Sequence, residues 1–183
     1  TTATELLFLK YMMDSLRPGG RCGVIVPEGV LFGSTGAHKE LRRQLIENNR
    51  VEAVLSLPGG VFQPYSGVKT SVLLFRKGGR TERVLFLHAD DDGYKLDANH
   101  DTPVEADDLP GLVQAYVLRE SAWAKWAARD VAAEWREKWW FADAAVLRAN
   151  DFNLSAGRYR PMSQAQVEHR DPRELLDELA AIE

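Results

Sequence analysis

Apolar positions in the first third of the chain alternate between helical spacing and short unbroken runs. From Glu5 to Leu16, Leu6, Leu9, Met13 and Leu16 recur at helical spacing, and Leu7, Phe8 and Met12 widen the stripe, which predicts an amphipathic helix. Thr2 followed by Glu5 has the form of a capping box, and Pro18, Gly19 and Gly20 stop the helix. Arg21 to Pro27 (RCGVIVP) is a continuous apolar run between turn signals, the pattern of a strand buried on both faces of a parallel sheet. Ser34, Thr35 and Gly36 precede a second helix over His38 to Asn48, with Leu41 and Leu45 inward, and Val51 to Leu57 (VEAVLSL) reads as the next strand. Helix, strand, helix, strand with short links predicts an α/β fold with a parallel sheet.

The pattern then changes. Pro58 to Gly67 reads as a Gly- and Pro-rich loop containing Phe62 and Tyr65. Val68 to Phe75 and Glu82 to His88 read as strands joined by a turn at Lys77 to Arg80, and they are expected to pair antiparallel at the sheet edge. Ala89 to Asp108 is acidic and turn-rich. Its run Asp90, Asp91, Asp92, Gly93 lacks the alternating ligands and the distal Glu of a calcium loop, so it reads as solvated. Helices are expected over Leu109 to Arg119 and Ala122 to Lys138. All five Trp lie between Trp123 and Trp140, and the pairs Trp123/Trp126 and Trp135/Trp139 have spacings that share a helix face. They read as a packing anchor onto the sheet or a partner. Base stacking is the sharper alternative, weakened by the few basic residues between them. Asp171, Pro172 and Glu174 have the form of a capped terminal helix, whose Leu175, Leu176, Leu179 and Ile182 stripe needs a partner surface. The division expected is 1–108 for the sheet domain and 109–183 for a helical and irregular C-terminal extension.

Composition narrows this only slightly. With 183 residues, 45% hydrophobic and 27% charged, the chain is long enough for one globular core. A net charge of −4 gives no support from composition for strong nucleic-acid binding, although a basic patch can sit on an acidic protein. Lys39, Arg42 and Arg43 form such a cluster on the second helix, read as a solvated face with a phosphate contact as the alternative. One cysteine, Cys22, excludes an internal disulfide and a multi-cysteine metal site, and its apolar setting reads as a buried strand thiol. No apolar run approaches the ~20 residues of a membrane span and no signal peptide is visible, so a cytoplasmic protein with no membrane partner is the default.

Three stretches together resemble the modification (M) subunits of type I restriction-modification systems, which are adenine-N6 DNA methyltransferases. The first is ELLFLKYMMDSLRPGGRCGVIVPEGVLFG, residues 5 to 33, with its Pro-Gly-Gly turn and its Val-Pro-Glu-Gly-Val-Leu-Phe ending. The second is LPGGVFQPYSGVKTSVLLF, residues 57 to 75, where Gly-Val-Lys-Thr leads an apolar strand. The third is NDFNLSAGRYRP, residues 150 to 161. Fused restriction-modification enzymes share these segments.

The resemblance implies an incomplete S-adenosylmethionine-dependent methyltransferase (Rossmann-like) sheet ending in antiparallel edge strands, followed by a helical C-terminal region. The early half, with its Gly-rich cofactor loop and its Asn-Pro-Pro-Phe catalytic loop, is expected outside this chain: Gly29, Gly33 and Gly36 are spaced wrongly for a nucleotide fingerprint, and no Asn-Pro-Pro occurs. The resemblance further implies S-adenosyl-L-methionine as methyl donor, DNA as substrate, a specificity (S) subunit as partner and a restriction (R) subunit as an optional one. The fragment alone is expected to be inactive, and its alternative role is a non-catalytic assembly module docking on the specificity subunit. Ligands of open α/β sheets sit beyond the carboxyl ends of strands. Pro27, Glu28, Phe62, Tyr65, Lys69 and Thr70 are therefore the candidate cleft residues. Phe62 or Tyr65 would help hold an extruded adenine, and Lys69 or Thr70 would contact it or a nearby phosphate. The competing reading makes Phe62 and Tyr65 the loop's own plug and Lys69 a solvated side chain.

Overall fold

The computed structural model describes residues 4–128 and 137–161, so Trp135 and the expected terminal helix with its apolar stripe lie outside the described residues. Helix α1 (Thr4–Ser15) buries Leu6, Leu9 and Met13, the stripe its spacing predicts. Gly19, at φ 77°, makes the reversal that follows, a left-handed conformation that only Gly adopts cheaply. Strand β1 (Arg21–Pro27) leads directly into the short α2 (Glu28–Phe32). Helix α3 (Gly36–Asn48) is capped by Thr35, whose hydroxyl accepts from the His38 N–H. Strands β2 (Asn49–Ser56), β3 (Thr70–Lys77) and β4 (Arg83–His88) follow. Then come a hairpin of β5 (Asp92–Tyr94) and β6 (Pro103–Asp107), helices α4 (Leu109–Val117) and α5 (Arg119–Ala127), strand β7 (Trp139–Asp143) and helix α6 (Ala144–Ala149).

The main sheet has the order β1-β3-β2-β4-β7. β3 runs antiparallel between β1 and β2, β4 lies parallel to β2, and β7 is antiparallel to β4. β1, β2 and β4 thus point the same way and share one carboxyl edge, with helices on both faces. Two expectations are corrected. β1 is not buried within a parallel sheet: its one neighbour among the described residues is antiparallel β3, and Ile25 on it is half-exposed. Nor do β3 and β4 pair. β3 fills the gap left between β1 and β2 by their helical crossover, while β4 lies on the far side of β2. Apolar runs report burial, and burial does not name the neighbouring strand.

One face of the sheet carries α1, α2, α3 and α6 over Val26, Val54, Leu73, Phe75 and Phe86, and the other carries α4 and α5 over Ala53, Leu85, Leu87 and Trp139. A bulge between Val51 and Ala53 in β2 puts Val51 and Val54 in the same core. It turns Glu52 toward α4 and α5, where Tyr116 donates to it at 2.6 Å.

The stretch beyond residue 108, expected as helical and irregular, also contributes a strand to the main sheet, because β7 is hydrogen-bonded to β4. Trp139 lies in this strand and not on a helix. Period-two alternation sends Trp139 and Phe141 to one face and Trp140 and Ala142 to the other, a signal masked by the i, i+4 tryptophan spacing. The tryptophans do serve as anchors: Trp126 packs against Trp139 at 6.1 Å, and Trp123 meets Phe141 edge-on at 5.3 Å. The acidic stretch, expected as a solvated loop, contains the β5–β6 hairpin, of which every β6 residue is exposed.

The basic cluster on α3 splits. Lys39 and Arg43 are exposed partners of Asp151 and Glu40. Arg42 is not solvated: it is 1% exposed and donates to the carbonyls of Val30, Gly33, Asp151 and Phe152 at 2.9–3.3 Å. It therefore ties the 150–161 segment to α2. That segment also places Leu154 in the core, with its N–H donating to the Leu31 carbonyl, and stacks Tyr159 on Phe86 at 5.1 Å.

Candidate functional site

The register assembles a polar row along the shared carboxyl edge. Val26 of β1 pairs with Ser71 of β3, Ser71 with Ser56 of β2, and Ser56 with His88 of β4. Two residues further into the sheet, Val24, Leu73, Val54 and Phe86 repeat the same pairing as an apolar row. The strands thus present a hydroxyl- and imidazole-bearing rim on a dry core. Ser56 and Ser71 are each 1% exposed, so the rim is built in.

The sequence candidates gather around this rim. Pro27 ends β1 opposite Thr70, and Glu28 opens α2. The Glu28 N–H donates to the Lys69 carbonyl, the Ser56 hydroxyl donates to the Glu28 carboxylate at 3.3 Å, and the Lys69 ammonium lies 3.6 Å from that carboxylate. Thr70 is buried at 7% exposure, and its hydroxyl has no partner among the described residues. Phe62 is half-buried and bridges to Ser66 within the 57–69 loop, whereas Tyr65 is 94% exposed. The structure therefore brings Pro27, Glu28, Lys69 and Thr70 together directly, with Tyr65 standing out from the adjoining loop.

Reading the sequence missed Ser56, Ser71 and His88, and beside them Asp90, Asp108 and Lys138. The His88 ring lies 3.0 Å from Asp90 through Nε2. Lys138 donates to both Asp90 and Asp108, at 2.7 and 2.6 Å. Asp108 in turn accepts from the N–H groups of Asp90 and Asp91. Burial pushes the His88 imidazole below its ordinary pKa, against the opposing pull of Asp90. The Lys138 hydrogen bond holds the Asp90 carboxyl low. For Asp108 burial pushes upward, but the bonds from Lys138 and the two backbone N–H groups outweigh it and the carboxyl also sits low. A signal existed in the sequence, since His88 ends a strand and acidic residues follow at once, but the partner Lys138 is fifty positions away.

A methyl-donor pocket does not fit these residues. Of the glycines between β1 and the start of α3, Gly33 is closed in by its own chain, since a Cβ there would lie 2.4 Å from the His38 ring, while Gly29 and Gly36 have open space at that position, and none follows a strand at the spacing of a cofactor loop. Among the described residues no grouping of His, Cys, Asp and Glu could hold a metal ion.

A mixed sheet with helices on both faces, whose β1, β2 and β4 share one carboxyl edge, has the architecture of an incomplete Rossmann-like α/β fold. The model of the family N-6 DNA Methylase matches residues 1–169, and the chain belongs to that family. The methylase subunit of the type I restriction enzyme EcoEI from Escherichia coli is 30% identical over 177 residues, 96% of this chain and 34% of that subunit. The EcoKI methylase subunit of E. coli strain K12 is 41% identical over 78 residues, 43% of this chain and 14% of that subunit. A solved structure titled for complex assembly and conformational transition of the type I R-M system matches with TM-score 0.67 and 28% identity, covering 100% of this chain and 37% of that one. The type I methyltransferase subunit from Streptococcus thermophilus matches with TM-score 0.58 and 25% identity, over 78% of this chain and 27% of that one. The chain thus spans about a third or less of these relatives' length.

Proposed function

We propose that this chain is a C-terminal portion of a type I modification subunit, which transfers a methyl group from S-adenosyl-L-methionine to adenine N6 at a defined DNA site. The specificity subunit reads the site, and a restriction subunit is an optional further partner. Methylation of cellular DNA places the assembly in the cytoplasm, and no helix of the described residues is long and apolar enough to cross a membrane. The donor pocket and the Asn-Pro-Pro-Phe loop belong to the rest of the protein, so the fragment alone is inactive.

The observation that carries this reading is a polar rim at the carboxyl edge with a nearly free aromatic ring beside it. Ligands of open sheets collect at that edge. An adenine extruded from its duplex loses its stacking neighbours, and one aromatic face restores about 1–3 kcal/mol of stacking. Tyr65 supplies that face, with Phe62 bracing the loop. Lys69, partly screened by Glu28, contacts the base or a flanking phosphate. Thr70 is the buried floor, offering a hydroxyl without a partner among the described residues. The test is Phe62→Ala and Tyr65→Ala in the full-length subunit with its specificity partner. Methylation of unmethylated bacteriophage DNA is expected to fall about tenfold or more for Tyr65→Ala, the equivalent of about 1.4 kcal/mol. Unchanged methylation and DNA affinity in both variants would remove the cleft assignment.

A second reading, an assembly surface, is favoured by the exposed apolar residues Val113, Val117 and Leu118 on the α4 side. Deleting Asp171 to Glu183 tests the terminal stripe in the same role: a truncated subunit that still co-purifies with its partner reduces that stripe to local packing.

A further inference from the structure

We propose that the outer face of α4, with the charged ground at its two ends, forms a two-fold interface with a second copy of this subunit. The inference rests on the assembly reading of the α4 side and names its occupant; the methyl-transfer reading is independent of it.

Helix α4 carries LPGLVQAYV, with no charged residue at any of its nine positions. Its inner side is accounted for: Leu112 is fully buried, and Tyr116 donates to the buried Glu52. Its outer side holds Val113 and Val117, one turn apart and both more than half exposed, with Leu118 beside them. A helix at a wet surface turns charge to the water, and one that is uncharged all round is a covered helix.

The two ends say what covers it. α4 starts at the carboxyl edge of the sheet, where Asp108 accepts from the N–H groups of Asp90 and Asp91 just past β4. The β5–β6 hairpin stands at this end. Asp92 and Asp97 of the hairpin are paired, whereas Asp101, Glu105 and Asp107 are exposed and have no ion pair among the described residues. α4 ends at the amino edge, where Arg119 reaches Glu52 of β2. Close by, Arg50, Arg80 and Arg83 line an open cavity of about 100 Å³ with Glu82. Arg50 and Arg83 share one carboxylate, the exposed Glu120, at 3.5 and 3.3 Å. Arg80 lies 3.9 Å from Glu47, which Arg148 already holds at 2.6 Å. This end keeps positive charge in excess, and it is built of arginine, the cation enriched in protein interfaces, where lysine is depleted.

The strip thus runs from an acidic end through an apolar middle to an arginine end, over about 14 Å of helix. Two such strips laid antiparallel, about an axis beside Val113 and Gln114, match apolar to apolar and set each arginine end against the acidic end of the other copy. The same strip laid on DNA buries valines against phosphates, and laid on a uniformly acidic protein it sets Asp101, Glu105 and Asp107 against like charge.

The experiment is sedimentation of the full-length subunit without its specificity partner, from about 1 to 100 µM. A dimer is expected whose dissociation constant rises about tenfold or more between about 0.05 and 0.5 M salt, because its end pairs are screened. Val117→Asp, at an exposed position, is expected to abolish the dimer and leave the Tm unchanged. Arg50→Glu and Glu105→Lys are each expected to weaken self-association about tenfold or more. An equimolar mixture of these two is expected to dimerise as wild type does, because the mixed pair restores opposite charges at both ends. A subunit that stays monomeric throughout, a dimer indifferent to Val117→Asp, or a mixture no tighter than its components overturns the proposal. A monomeric wild type whose Val117→Asp variant no longer co-purifies with the specificity subunit overturns the second copy and keeps the assembly reading. A lowered Tm in Val117→Asp shows the face covered by the subunit's own chain and overturns both.

Discussion

Replacing Arg42 by Met tests how this fold holds its cleft wall. The guanidinium is 1% exposed and spans two segments: the α2 end, through Val30 and Gly33, and the turn at Asp151 and Phe152, where both residues have φ 55°. Met matches the stem in length but donates nothing. Each carbonyl left dry costs about 1–3 kcal/mol. Part of this is returned because burial opposes the Arg42 charge, which is why its pKa is pulled down. The remaining bond between Leu154 N–H and the Leu31 carbonyl also survives. The net loss works out at about 3 kcal/mol. For a domain of this size that is a fall of about 6–12 °C in Tm. Arg42→Lys should recover less than half, because a single ammonium cannot reach a fork of four carbonyls. Lys39→Ala, which removes only an exposed pair with Asp151, is the control and should leave the unfolding midpoint unchanged. Thermal and denaturant unfolding of the full-length subunit read these differences. If Arg42→Met and Lys39→Ala both stay within about 1 kcal/mol of wild type, the clamp does not exist as described.

Two further outcomes follow from buried polar groups. Glu52, whose side chain is 2% exposed, faces Arg21, Arg76 and Arg119 at 3.5–3.9 Å, so Glu52→Gln leaves three cations without a counter-charge. It should destabilise by about 3 kcal/mol in denaturant titrations, and adding Arg76→Met should return part of that loss; a single variant as stable as wild type contradicts the account. Burial pushes the Tyr159 hydroxyl up to about 12, above its ordinary value of 10, so its contribution to stability is full below pH 10 and is lost as pH rises toward 12. Tyr159→Phe should remove a tyrosine step near pH 12 from an ultraviolet difference titration and, with the 2.7 Å bond to the Asn153 carbonyl gone, cost about 1 kcal/mol. A titration curve identical to wild type would contradict the raised value at Tyr159.

The elements near the start were legible because their information is local. Leu6, Leu9 and Met13 repeat at helical spacing, and RCGVIVP is bounded by turn residues at both ends, so α1 and β1 could be placed almost to the residue. The motifs that carry the family resemblance are local in the same sense. The chain by itself therefore determined the α/β class, the family, and the position of the elements up to β4 to within about two residues, apart from the short α2.

Partnership was decided only in three dimensions. Strand order, the insertion of β3 between β1 and β2, and the strand at Trp139 depend on which edge each apolar run reaches, and period-two burial is the same for either neighbour. Arg42 could not be told from Lys39 and Arg43, because a buried guanidinium needs carbonyls more than a hundred positions away in Asp151 and Phe152. The rim of Ser71, Ser56 and His88 exists through cross-strand register alone, and Lys138 reaches Asp90 only because β7 lies against β4. Spacing along a chain encodes helix faces and strand faces, whereas charge pairing and cleft walls arise where distant segments meet.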